Sequence, residues 1–383
     1  MSNPVFIDTH NIISPLGISS KENFDAILKG NSGVKLQDRK DIDDEAFYAS
    51  LINNNILYDV AEINETGNKY TRFEVMLIAS LQQALKASSI KIEDEKTILI
   101  FSTTKGNIAL LENNKATPEL LERVSLFHSA KLVSEKFHNP NTPIVISNAC
   151  ISGIAALMFA KRLLETGAYE NAVVIGADTI TKFVFSGFKS FRALSAAACK
   201  PFSADRDGIN LGEAAATIIL STNQNASNNI QLKGAATSND ANHISGPSKT
   251  GDELSKAINA VLSEAHISAD EIDFISAHGT ATLFNDEMEA KAFHSSALFN
   301  VPINSLKGYF GHTLGAAGLV ESVISLLSLE NNVIVPTLGF TTLGVPVAAN
   351  ICKEAIYKPM TSFLKTASGF GGCNGAVVFG KVD

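Results

Sequence analysis

An α/β architecture is what the 383-residue sequence predicts, on two observations. Runs rich in Val and Ile recur along the chain with little apolar–polar alternation, the pattern of strands covered on both faces. Helical runs lie between them, and strands alternating with helices mark an α/β fold.

The strand-like runs, in order, are "TILIFSTT" (97–104), "PIVIS" (143–147), "AVVIGAD" (172–178), "ATIILS" (216–221), "IDFISAH" (272–278) and "AVVFG" (376–380). The helical runs are 72–88, 151–167, 252–266 and 315–330. Residues 30–70 are polar and irregular and read as a surface excursion. The polar stretch "STNQNASNN" (221–229) follows a strand and divides the chain unequally, so the expected domains are 1–221 and 222–383. Each half ends on a strand, but no clear sequence repeat links them.

Composition narrows the function. Hydrophobic residues make up 45%, charged residues 18%, and the net charge is −8. Such a chain builds a large core without staples and is no basic nucleic-acid binder. Cys150, Cys199, Cys352 and Cys373 lie far apart with no CxxC pair, so no metal site is expected and the thiols are taken as free. No signal peptide is evident, and no apolar run approaches the ~20 residues that span a bilayer. A cytoplasmic protein without membrane insertion is the expectation.

The seam at "ISNACISGIAALMFAKRLL" (146–164) carries the first chemical signal. A β-branched run stops at Asn148-Ala149-Cys150, and an almost wholly apolar helix begins. A thiol at a helix N-terminus meets unpaired N–H groups and a partial positive charge, which lower its pKa towards neutrality. Ser152 and Gly153 keep the turn small. The other reading is a small buried hydrophobe, a common fate of free cysteine.

Two histidines follow at glycine-marked element ends: His278 before Gly279, and His312 after Gly311 in a Gly/Ala-rich helix start. Each is either catalytic or structural. Lys307 is either a solvated lysine or a buried one paired with Glu289, Asp286 or Glu321. "SGFGGCNGAVVFG" is a glycine-rich turn entering a strand. It either aims N–H groups at an oxyanion or is simply tight, and without Gly-Lys-Ser/Thr it is no phosphate loop.

Taken together, the motifs resemble the β-ketoacyl-acyl-carrier-protein synthases, elongating condensing enzymes of the thiolase superfamily. They stand in family order over essentially the whole chain: "SPLG" (14–17), "SNACISG" (147–153), "FRALS" (191–195), "KPFSADRDGINLGEAAA" (200–216), "AHGTATLFNDEMEA" (277–290), "LKGYFGHTLGAAGLVES" (306–322) and "GFGGCNG" (369–375). The resemblance implies a thiolase-like fold, in which two similar βαβαβαββ halves form a five-layered αβαβα core. It implies a homodimer, or a heterodimer with a related subunit, built by strand pairing near the Cys150 segment. It also implies an acyl carrier protein as partner, with no resident cofactor. Phosphopantetheine arrives on the carrier, and a structural monovalent cation is left open.

Residue roles follow from the same resemblance. Cys150 takes an acyl chain, with the N–H groups of Cys150 and Phe370 as oxyanion hole. His278 and His312 stabilise the enolate left when a malonyl thioester loses carbon dioxide. The enolate then attacks the acyl-Cys carbonyl and gives a 3-oxoacyl thioester. Lys307 pairs with Glu289 and orders the histidines, with Asp286 and Glu321 in support. Phe188, Phe370, Gly369, Gly371, Thr280 and Thr282 match substrate or gating positions. Arg192 matches a carrier-protein contact that Lys69, Arg72 and Lys200 could join.

Departures from the pattern point to a specialised member. Gly212-Glu213-Ala214-Ala215 replaces Gly-Glu-Gly-Ala, Leu283-Phe284 replaces Pro plus a small residue, Gly308-Tyr309-Phe310 precedes Gly311, and Cys373 replaces Thr. Bulky Tyr309, Phe310 and Phe284 near the histidines suggest a reshaped pocket for an unsaturated or aromatic-capped chain, as in aryl-polyene or other polyketide-like pathways. A non-catalytic chain-length-factor-like subunit is the alternative, but such proteins typically lose the nucleophile. A thiolase would carry a second cysteine in its C-terminal glycine-rich motif, where Cys373 lies, but would not combine His278, His312 and Lys307.

Overall fold

The computed structural model describes residues 3–67, 69–224, 229–241 and 246–382. Of the linker-like stretch, residues 225–228 lie outside the described residues. Ten strands make one mixed sheet: β1 (Phe6–Ile13), β2 (Thr97–Ser102), β3 (Ile144–Ile146), β4 (Asn171–Asp178), β5 (Ala214–Ser221), β6 (Ile230–Asn239), β7 (Phe274–Ser276), β8 (Ile303–Asn304), β9 (Ser362–Gly369) and β10 (Cys373–Lys381).

Their order is β3-β2-β4-β5-β1-β6-β10-β9-β7-β8. Read inward from either edge, each set of five runs third, second, fourth, fifth, first. The strand senses repeat as well. β2 is parallel to β3 and β4, as β7 is to β8 and β9; the remaining pairs in each set are antiparallel. The sets meet at one antiparallel pair, Phe6 with Gln231. The backbone therefore carries a repeat that the residue identities do not.

The principal helices are α1 (Arg72–Lys86), α2 (Ser152–Glu165), α3 (Asp252–Ala265), α4 (Leu283–Ser295) and α5 (Ala317–Glu330). α2 and α5 lie between the two sets of strands. Their Ile154, Leu157, Val320 and Val323 share one core with Ile98 and Ile218 of the first set and Leu232 and Val377 of the second. α1, started by a Thr71/Glu74 capping box, covers the outer face of the first set through Val75 and Leu77. α3 and α4 cover the second through Leu254, Ile258 and Met288. The layers run αβαβα, and the fold is the thiolase-like one the motifs implied.

Two local expectations need correction. Residues 30–70 are not an irregular excursion: they contain paired strands at Val34–Gln37 and Phe47–Ser50 and a helix at Asn54–Ala61, with Ala49, Leu57 and Ala61 buried. Polar neighbours mask these apolar anchors. The 143–147 run is not a fully covered strand. β3 is a sheet edge, and Ile144–Ile146 are only half-buried.

Candidate active site

The central helices bring the chemistry together. A Cβ on Gly153 of α2 would lie 2.9 Å from the Leu319 nitrogen, and one on Gly318 of α5 would lie 2.8 Å from the Ile154 nitrogen. The two helix starts thus touch backbone to backbone, and the residues just before them become neighbours. Cys150 precedes α2 and His312 precedes α5.

The turn into α2 is tightly specified. Ala149 holds a left-handed φ of 44°, a costly conformation for a non-glycine residue. Ser152 locks it: its Oγ accepts from the Asn148 N–H (2.8 Å) and donates to the Ala149 carbonyl (2.6 Å). His312 is aimed by Gly311, whose φ of 67° suits glycine and whose Cβ would meet the Leu211 carbonyl oxygen at 2.5 Å. The His312 N–H then donates to the Asn210 carbonyl at 2.7 Å.

The Cys150 sulfur lies 3.0 Å from His312 Nε2. One atom each of Cys150, His278 and His312 falls within 4.8 Å of the others. Sulfur and two imidazoles at this spacing could also hold a zinc ion, which would occupy all three groups. The His rings cross edge to face, 5.2 Å between centroids. Lys307 Nζ is 3.5 Å from His278 Nδ1. An ammonium has no acceptor, so His278 Nδ1 must accept and the ring proton sits on Nε2.

Electrostatics separate the roles. Burial holds both imidazoles well below the usual histidine value, and Lys307 adds to this, so they are neutral at pH 7. Burial also pushes the Cys150 thiol up to about 12, while Lys307 and the Phe370 N–H pull the other way. Burial thus acts against the lowering that a helix N-terminus gives a thiol, and it favours a resting thiol beside a neutral imidazole.

Lys307 has a different partner from the one expected. Its Nζ donates to Glu321 Oε1, not to Glu289. Glu289 instead accepts the N–H groups of His278 (2.8 Å) and Gly279 (2.6 Å), so it holds the His278 backbone. Asp286 accepts the Phe202 N–H at 2.7 Å. The α4 turn points both carboxylates inward, whereas Glu321 comes from α5, directly over Lys307. Sequence reasoning missed Lys365, whose Nζ lies 2.6 Å from Glu321 Oε2. A single charged residue within an otherwise uncharged strand run was the available signal. It also missed Asp178, which accepts from the Thr103 hydroxyl (2.7 Å) and the Gly315 N–H (2.7 Å), tying β4 to the approach to α5.

Cys150, His278 and His312 open onto a cavity of about 390 Å³, lined also by Phe188, Thr280, Thr282, Gly369, Phe370 and Arg192. Gly371 sits in the same turn but does not line it. A Cβ on Gly369 would meet the Cys150 nitrogen at 2.9 Å, so the glycine-rich turn lies directly on the nucleophile's backbone. Cys373 donates to the carbonyls of Asn148 (3.7 Å) and Phe370 (3.5 Å), linking the two turns. Phe370 packs on Phe188 and Phe191, with centroids 5.6 and 5.2 Å apart.

Other expectations fall away from the cavity. Tyr309 and Phe310 are buried in the central core, not in the cavity wall, and the Tyr309 hydroxyl donates to the Pro336 carbonyl. Phe284 lines the cavity and is mostly exposed. Of the four basic residues, only Arg192 borders the cavity. Arg72 forks onto Glu213 at 2.7 Å, Lys200 pairs with Asp205, and Lys69 lies over the Tyr70 ring.

Comparisons with known proteins agree with this picture. Residues 2–226 match the family model "Beta-ketoacyl synthase, N-terminal domain", and 230–341 match "Beta-ketoacyl synthase, C-terminal domain". The chain is 28% identical to a 3-oxoacyl-(acyl-carrier-protein) synthase 2 of Staphylococcus aureus, over 99% of this chain and 98% of the relative. It is 26% identical to the Vibrio cholerae protein of the same name, over 99% of each. Among solved structures, a ketosynthase in complex with its chain length factor from Xenorhabdus doucetiae superposes with a TM-score of 0.85 at 24% identity, covering 99% of this chain and 98% of the other. The ishigamide ketosynthase/chain length factor gives 0.89 at 22% identity, with both chains fully covered. At these identities the structural likeness speaks for the fold.

Proposed function

This chain belongs to the β-ketoacyl synthase family, and from that premise we propose that it catalyses decarboxylative condensation of a malonyl thioester with an acyl chain held on Cys150. Both chains are carried by an acyl carrier protein. One observation carries the reading: a thiol and two neutral imidazoles meet within 4.8 Å in a cavity.

In the first half-reaction, the Cys150 sulfur attacks the thioester carbonyl and its proton passes to His312 Nε2. The oxyanion is held by the N–H groups of Cys150 and Phe370; one such donor is worth about 10²–10³ in rate. Collapse expels the pantetheine sulfur, which takes the proton back from His312. In the second half-reaction, the malonyl carbon–carbon bond breaks and carbon dioxide leaves. The electron pair forms an enolate, whose oxygen His278 Nε2–H stabilises; His312 joins as second donor once its ring proton has moved from Nδ1 to Nε2. Neutral donors suit this step, because they stabilise developing charge without being consumed. The enolate carbon attacks the acyl carbonyl, the Cys150 sulfur leaves as a thiolate that takes up a proton from solvent, and a 3-oxoacyl thioester two carbons longer results.

Lys307 fixes the His278 tautomer, and Glu289 fixes its backbone. The phenylalanines at 188, 191, 284 and 370 offer stacking faces for an unsaturated or aromatic-capped chain, which supports a specialised polyketide-like pathway. Arg192 is the carrier contact best placed at the cavity mouth. A homodimer or a heterodimer with a related subunit fits the half-exposed edge strand β3. A chain-length-factor-like subunit is not favoured, because nothing in the reacting set is missing. Among the described residues no helix is long and apolar enough to cross a membrane, and four free thiols favour the cytoplasm.

The test is incubation with acyl- and malonyl-loaded carrier protein, read by mass spectrometry. A product two carbons longer is expected. No product and no carbon dioxide release from any loaded carrier would contradict the reading.

A further inference from the structure

Lys365 has no place in the reaction above, yet it is one of the most deeply buried charges in the protein. It lies in β9, where Ser362 to Ser368 are all buried, and its own side chain has no exposure. Four oxygens surround its Nζ: the carbonyls of Ser276 (3.1 Å), Ala277 (3.1 Å) and Thr366 (2.6 Å), and Glu321 Oε2 (2.6 Å). An ammonium has three protons. The three carbonyls take them, and Glu321 Oε2 accepts no directed hydrogen bond, so the carboxylate contact is coulombic. Carbonyls that replace a hydration shell, with a carboxylate to balance charge, are how proteins hold hard or monovalent cations. Potassium and ammonium are close in size.

The cage touches every support of His278. Ser276 and Ala277 lead directly into it. The Thr366 hydroxyl donates to Glu289 Oε1, which accepts the His278 N–H. Glu321 also holds Lys307, which faces His278 Nδ1.

We propose that Lys365 is a tethered cation: its ammonium fills an oxygen cage that would otherwise take a free monovalent cation such as potassium, and it positions His278 from there. A separate structural cation does not fit beside it, because these oxygens are already committed. The cage stands independently of the condensing reaction, and only the rate measurement below rests on that reading.

The test compares wild type, Lys365→Ala and Lys365→Met in potassium chloride and in choline chloride at equal ionic strength. Melting temperature and condensation rate are both read. The wild type should be indifferent to the salt. Lys365→Ala should melt lower in choline, with a rate loss of about tenfold to a hundredfold from a displaced His278. Potassium should restore both. Lys365→Met, whose side chain occupies the space without charge, should be impaired in both salts. If Lys365→Ala folds only in potassium, the proposal is supported; if it is unfolded in both salts, the proposal is overturned. A wild type that requires potassium, or a Lys365→Ala protein that potassium does not restore, would also overturn it. A restored melting temperature without a restored rate, in a preparation whose wild type condenses, would refute the positioning role. A wild type that does not condense, beside a Lys365→Ala protein whose melting depends on potassium, would support the cage and sink the condensing reading.

Discussion

The Cys150 sulfur stands 3.0 Å from His312 Nε2 across 162 residues of sequence. Contact between the helix starts at Gly153 and Gly318 creates this pair. Burial sets its protonation, with the thiol held up to about 12 and the imidazole held well below its usual value. Both shifts favour a pair that is neutral at rest.

Alkylation should report that state. With the thiol near 12, the rate of Cys150 modification by iodoacetamide should climb about tenfold per pH unit from pH 7 to pH 10, because only the thiolate reacts. Peptide mapping by mass spectrometry measures it. A plateau below pH 9 would mean that the helix N-terminus overcomes burial.

The two histidines should separate by half-reaction. His312→Ala removes the group touching the sulfur, and acyl transfer to Cys150 should slow by about 10²–10⁴. His278→Ala should leave acyl transfer nearly intact and lower malonyl decarboxylation by about 10²–10³. Rapid-quench assays of each step decide the matter. Equal losses in both steps would contradict the assignment.

Gly369→Ala should be a strong kinetic lesion in a folded protein. The new methyl would stand 2.9 Å from both the Cys150 nitrogen and the Cys373 sulfur. The backbone cannot give way without moving the nucleophile, and about a 10²-fold loss in acyl transfer is expected. Circular dichroism should remain that of the wild type. Full activity would show that the turn is not in register with Cys150.

Asp286 should make stability depend on pH with a definite sign. Burial raises its carboxyl from 3.8 to about 7, and the charge of Glu289 adds to this. Between those values the folded state binds more protons than the unfolded state, so this group's contribution falls as pH rises through about 7. Asp286→Asn keeps an acceptor for the Phe202 N–H but removes the titration. Its melting temperature should therefore gain on the wild type from pH 4 to pH 8. A gap that is constant or shrinks would contradict the assignment.

Cys150, His278 and His312 were legible because each sits where a regular pattern stops at a glycine or small residue, and such stops survive in sequence. The α/β class was legible because strands covered on both faces need no alternation, whereas the layered arrangement came only from the resemblance of the motifs. Partner choice was not. Glu289 and Glu321 are equally good carboxylates on paper, and only the placement of α5 over β9 gives Glu321 both Lys307 and Lys365. β8 has two residues and β7 three, too few to show a period. The duplicated strand order has left no trace in residue identity, since buried positions need volume and apolarity rather than particular side chains.

The central claim is that Cys150 carries the acyl chain, and the most direct measurement is intact-protein mass after mixing with a panel of acyl-carrier thioesters. The wild type and Cys373→Ala should each gain one acyl mass, and Cys150→Ala should gain none. An adduct that survives in Cys150→Ala but is lost in Cys373→Ala would place the nucleophile on the other thiol and contradict the account.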